Sequence, residues 1–243
     1  MCNSYIRFAV NQSTSHDFLR KKTQRMGNLK IVFMKKIYAF TFLLLFAIGN
    51  SQTYSFDFLT KYIAVGKNEK VQNEVVNYFN TDNFNYYLRL LRGSENFYAY
   101  LTDEEQNKVH EFEVTEIKNG TGIIFSFKYI KTNSLHKHPI SQKHYRYEWS
   151  NKSNTGATLK IFKTRKAKKP SKEYQFSFKK ANKNLFPVFR IAIMHPFENE
   201  KNINIDENIM VENAKYTCNY PPCSCDFRLA EYKNVSLELT VPQ

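Results

Sequence analysis

VHEFEVTEIKNGTGIIFSFKY, residues 109–129, is the stretch that decides the fold class. His110, Phe112 and Val114 fall on alternate positions, and so do Ile123, Phe125, Phe127 and Tyr129. A period of two places each set on one face of a strand. Asn119-Gly120 lies between them, and both residues accept positive φ, so the two runs read as a hairpin. On the N-terminal side, Phe84–Leu91 and Phe97–Leu101 read as strands around the turn Arg92-Gly93-Ser94-Glu95-Asn96. Asp103 to Asn107 reads as a polar loop, and its neighbouring carboxylates Asp103, Glu104 and Glu105 are explained by a turn.

The same style extends over the chain. Tyr54–Val65 is β-prone, and Val71–Phe79 fits a strand, with a helical spacing as its alternative. Tyr145, Tyr147 and Trp149 alternate with Arg146, Glu148 and Ser150. Thr158–Arg165 and Glu173–Lys179 flank a basic turn around Pro170. Leu185–Met194 is apolar on every position but Arg190 and the imino acid Pro187, and reads as a central strand buried on both faces. Met210–Cys218, Asp226–Tyr232 and Asn234–Val241 finish the chain as strands. Only five glycines follow residue 51, whereas Asn is abundant, so Asn is expected to supply the left-handed turns. The prediction is an all-β fold: a single curved antiparallel meander, as a half-open barrel or a two-layer sheet.

Residues 34–51, MKKIYAFTFLLLFAIGNS, read as a secretory signal peptide. Lys35 and Lys36 precede an apolar run, Ile37–Ile48, that is shorter than the roughly 20 residues of a permanent span. Gly49 and Ser51 are the small residues at −3 and −1 of a cut before Gln52. Residues 1–33 then read as an upstream mis-start without packed structure, and 52–243 as a single all-β domain. The protein is expected to be exported, to the periplasm or beyond. The net charge of +14 is partly the leader, because residues 1–51 hold eight Lys/Arg against one Asp. Residues 52–243 carry +7, a mild balance that points away from nucleic acid.

Few residues carry chemistry. Cys218, Cys223 and Cys225 are the disulfide candidates; Cys218 can bridge the Pro221-Pro222 turn to Cys223 or to Cys225. Lys163, Arg165, Lys166, Lys168 and Lys169 form a dense basic run suited to an anionic surface. His136, His138 and His144 form a small group without a supporting carboxylate or cysteine, so no metal site is assigned. GxSxG, HExxH and P-loop patterns are absent, so no catalytic residue and no cofactor is expected.

The order of strands and short turns over residues 54–241 resembles that of exported β-sheet proteins of Gram-negative bacteria. More loosely, it is similar to the open half-barrel of the lipoprotein-carrier (LolA-like) fold. The excess of Phe and Tyr on alternating positions suits the lining of a cavity on the concave side of a curved sheet, one that takes a lipid or another envelope component. The helical cover of the carrier fold is not evident in this chain. The leading expectation is therefore a non-catalytic exported protein that binds an apolar or amphipathic ligand. The alternatives are an enzyme with a dispersed, metal-assisted site and an outer-membrane barrel.

Overall fold

The computed structural model describes residues 51–66, 72–93, 95–120, 122–135, 145–219 and 222–242. The expectations for the upstream segment, for the leader up to residue 50 and for the three grouped histidines lie outside those residues. Eleven strands form one open antiparallel sheet. They are β1 (Ser51–Gly66), β2 (Gln72–Asn80), β3 (Asn83–Arg92), β4 (Phe97–Asp103), β5 (Lys108–Asn119), β6 (Gly122–Ser134), β7 (Arg146–Ser153), β8 (Gly156–Phe162), β9 (Lys172–Lys180), β10 (Ile209–Asn219) and β11 (Pro222–Pro242). One short helix, α1 (Phe186–Ile193), lies between β9 and β10.

The spatial order is β6-β5-β4-β3-β2-β1-β11-β10-β9-β8-β7. Two meanders, β1–β6 and β7–β11, thus run outward from a centre where the first and last strands pair. The sheet ends at β6 on one side and β7 on the other, and does not close into a barrel. The turn chemistry follows the composition. Asn107 (φ 54°) and Asn151 (φ 52°) adopt left-handed backbone, as does Gly120 (φ 58°). Asn119 pairs with Gly122, so β5 and β6 join in a hairpin at Gly120. Gly156 is required by close approach, because a Cβ there would lie 2.5 Å from the Phe176 carbonyl oxygen.

Leu185–Met194 is where the structure departs from the sequence reading. Its core is the helix α1 and not a central strand. Pro187 occupies the first turn, where its missing N–H costs nothing and its fixed φ suits a helix. The Asn184 side chain accepts the Phe186 N–H at 3.0 Å. Phe186, Val188, Phe189, Arg190, Ile191 and Ala192 are all buried. A helix apolar all round must be covered on several sides. Here Phe189 packs against Tyr62 of β1, Phe176 of β9 and Phe227 of β11. At its C-terminal end Arg89 of β3 donates to the carbonyls of Ile191 (2.8 Å) and Ala192 (3.2 Å). Those carbonyls have no partner within the helix, and a cation is favoured beside them.

The core falls into two clusters. One surrounds α1 with side chains from β1, β2, β3, β8, β9 and β10. The other joins β1–β5 to the C-terminal half of β11. Strand β1 serves both: Phe58 and Tyr62 belong to the first, whereas Tyr54, Phe56 and Leu59 belong to the second. Its alternation therefore changes phase between Phe56 and Leu59, and the middle of the sheet is buried on both faces.

Candidate ligand site in the curl of β1 to β6

Strands β2 and β6 are four places apart in the sheet. In a flat sheet that would separate them by about 19 Å. The rings of Tyr78 on β2 and Phe127 on β6 nevertheless stand with centroids 6.4 Å apart. Tyr54 on β1 likewise meets His110 on β5, with ring centroids at 5.6 Å. The first meander therefore rolls up around the second cluster. Leu88, Ala99 and Leu101 form its interior and are completely buried. Eight residues packed against it are only partly buried, and five of them, Phe125, Phe127, Tyr129, Val235 and Leu237, belong to the edge strand β6 and to β11, the neighbour of β1. The interior of the curl is thus fully buried, and the strands along its rim, β6 and β11, carry partly exposed apolar side chains. Beside the β3–β4 turn, Arg92, Glu95, Phe97, Val114 and Glu116 border a recess of about 330 Å3. A wider hollow of about 590 Å3 lies over β9, β10 and β11, bordered by Val65, Phe176 and Phe227 as well as by Lys215, Asp226 and Arg228.

The other end of the curl holds a chain of polar groups. The Tyr54 hydroxyl donates to Asp103 Oδ2 at 2.7 Å. Its single proton is then committed, so His110 Nε2–H is the donor to the Tyr54 oxygen at 3.2 Å. Nδ1 of His110 is left to accept from the Thr132 hydroxyl at 2.7 Å, and Tyr129 donates to Thr132 Oγ1 at 2.8 Å. The other Asp103 oxygen accepts the Gln106 N–H at 2.8 Å. Every donor points the same way, from exposed Thr132 and half-buried Tyr129 to the buried carboxylate. Asp103 therefore does more than shape a turn, since the structure also brings it to Tyr54 and His110. No sequence signal announces this chain, because Tyr54, Asp103 and His110 come from three separate strands.

Burial holds the Tyr54 hydroxyl well above the usual tyrosine range, and the Asp103 carboxylate adds to the effect. Burial lowers the His110 pKa from its ordinary 6.5, Asp103 opposes the shift, and Lys108 adds to it. A base whose folded pKa is depressed takes up its proton more readily when unfolded. Its contribution is complete above the unfolded value of about 6.5 and is lost as pH falls from there through the folded value. Urea unfolding at pH 7.5 and pH 5 is expected to show this loss, and His110→Gln is expected to flatten it. An equal pH dependence in both proteins would remove His110 as its source.

The remaining sequence candidates gather elsewhere. Cys218 and Cys223 form a disulfide, because they stand directly opposite each other in the β10–β11 register with Cα atoms 5.0 Å apart. Cys225 faces Tyr216 and keeps a free thiol, whose pKa burial raises. Lys163, Arg165, Lys166, Lys168 and Lys169 are exposed on the β8–β9 loop. Asn219 ties the loop to the disulfide hairpin, through its N–H to Ser171 O (3.1 Å) and its side chain to Pro170 O (2.6 Å). No group of three or more metal-binding side chains stands together among the described residues. No helix among them is long and apolar enough to cross a membrane.

No protein-family model matches the chain, and no curated protein matches it. Among solved structures it is similar to a crystal structure of a domain assigned to outer membrane lipoprotein sorting, from Vibrio parahaemolyticus. The match has 7% sequence identity and a TM-score of 0.21, and covers 73% of this chain and 85% of the other. At that TM-score the likeness fixes neither fold nor function.

Proposed function

We propose that this is an exported, non-catalytic protein that binds an apolar or amphipathic ligand, a lipid or another envelope component, along the rim of the β1–β6 curl. The observation that carries this reading is the half-buried apolar side chains of Phe125, Phe127 and Tyr129 on β6 and of Val235 and Leu237 on β11, packed against a fully buried apolar interior. Ligand sites are mostly apolar concavities with a few placed polar groups. The curl supplies the apolar wall, and Tyr129 with Thr132 supplies polar atoms at one end. Export is supported by the charge, length and small-residue exit of residues 34–51, and by the Cys218–Cys223 disulfide. The basic loop supports approach to an anionic surface, because no acidic side chain among the described residues pairs with its five cations.

The test is a fluorescent fatty-acid probe titrated into the protein. Saturable binding is expected, weakened about tenfold by Phe125→Ser, since fully burying a Phe side chain is worth about 1.5–3 kcal/mol. Ser126→Ala, on the opposite face of the same strand, is expected to leave binding unchanged. Absence of saturable binding, or equal binding by Phe125→Ser with its fold intact by circular dichroism, would exclude the curl as the site.

A further inference from the structure

We infer that the outer edge of β6 is a docking seam for a second copy of this chain, paired antiparallel about Phe127. An edge strand presents unpaired N–H and C=O groups, and proteins ordinarily blunt such edges with short length, charge, Pro or irregularity. The two edges of this sheet differ in length and charge. β7 is eight residues long, carries Arg146, Glu148 and Lys152, and is irregular between Ser150 and Ser153. β6 is thirteen residues long and has no Pro and no acidic residue, and its one register shift falls at Ile130, at the end of the stretch that begins at Ile124. Its two lysines are drawn back onto β5, Lys128 to Glu113 at 3.1 Å and Lys131 to Glu111 at 3.4 Å. On its outer face Ile124 is 51% and Ile130 43% exposed. Among the described residues nothing pairs with this edge.

The occupant follows from the strand's own pattern. From Ile124 to Ile130 the sequence is Ile-Phe-Ser-Phe-Lys-Tyr-Ile, a palindrome of residue classes about Phe127. A twofold seam is isologous, so each patch must complement itself. Antiparallel pairing about Phe127 places Ile124 opposite the partner's Ile130. It places Phe125 opposite the partner's Tyr129, Ser126 opposite the partner's Lys128, and Phe127 opposite its own copy. Exposed side chains then meet exposed ones, and half-buried rings meet half-buried rings, as the alternation along β6 requires. No two like charges face each other, and both lysines keep their glutamates. The seam does not depend on the ligand reading.

Sedimentation equilibrium of the full chain tests the seam. One strand pair is a small interface, so association at roughly 10–100 µM is expected, with the mass rising to twice that of the chain. Ile124→Lys with Ile130→Lys puts like charges opposite each other on exposed positions and should hold the protein monomeric. Ile124→Lys with Ile130→Glu restores complementarity in this register alone and should recover the dimer. A wild-type chain that stays monomeric overturns the proposal, whether or not another polypeptide is found on β6. So does a dimer that survives the double lysine variant, or one that the lysine–glutamate variant fails to recover.

Discussion

Phe189→Ala is expected to cost about 3–5 kcal/mol, the range for a large aromatic removed from a packed core. Phe189 is fully buried at the centre of the cluster around α1. Its ring makes edge contacts with Tyr62 at 5.3 Å, Phe176 at 5.6 Å and Phe227 at 6.1 Å. These partners come from β1, β9 and β11, so the cavity left by alanine has rigid strands around it and little to collapse into. A domain with about 5–15 kcal/mol of stability would lose a large share of it. Ile193, only partly buried at the end of the same helix, should cost roughly 1 kcal/mol on truncation to alanine. Urea midpoints with an unchanged slope would report both values. A cost below about 1 kcal/mol for Phe189→Ala would mean that the sheet folds without the helix.

Tyr54→Phe is expected to cost about 2–3 kcal/mol although it removes only one oxygen atom. The ring remains, with its edge contact to Tyr86 at 5.1 Å, so packing is nearly unchanged. The polar consequences are larger. Asp103, 4% exposed, loses the donor on Oδ2, and His110, 2% exposed, loses the acceptor for Nε2–H. Asp103 Oδ2 and His110 Nε2–H are then left unsatisfied away from water, and that penalty exceeds the net worth of the bond itself. Thr132→Val, at the exposed end of the same chain, should cost less than about 1 kcal/mol because water can replace the hydroxyl. Comparable costs for Tyr54→Phe and Thr132→Val would show that burial does not set the value of this network.

The two substitutions probe features that differ in how far the sequence exposed them. A helical start was legible around Leu185–Met194, because Pro187 cannot donate to a ladder and is out of place in a central strand. The uniform apolarity of the run masked it, since a helix buried all round has no period to detect. The polar chain gave no local sign. Tyr54 sits in a β-prone run, His110 alternates with Phe112 and Val114, and Asp103 opens a turn. Each has a sufficient local explanation without the other two.

What the sequence determined by itself is what neighbours along the chain decide. Alternation over 109–129, the hairpin at Gly120, and the left-handed Asn107 and Asn151 follow from the side-chain period and from the φ each residue tolerates. The closeness of the cysteines likewise limited the disulfide to a few pairings. The tertiary structure alone decided that β1 pairs with β11, that β1 changes face, that α1 packs across β1, β9 and β11, and that Cys223 is the partner of Cys218. These are contacts and registers between segments far apart in the chain or sharing one local pattern. They depend on which buried faces can be covered together, and no window of sequence contains that information.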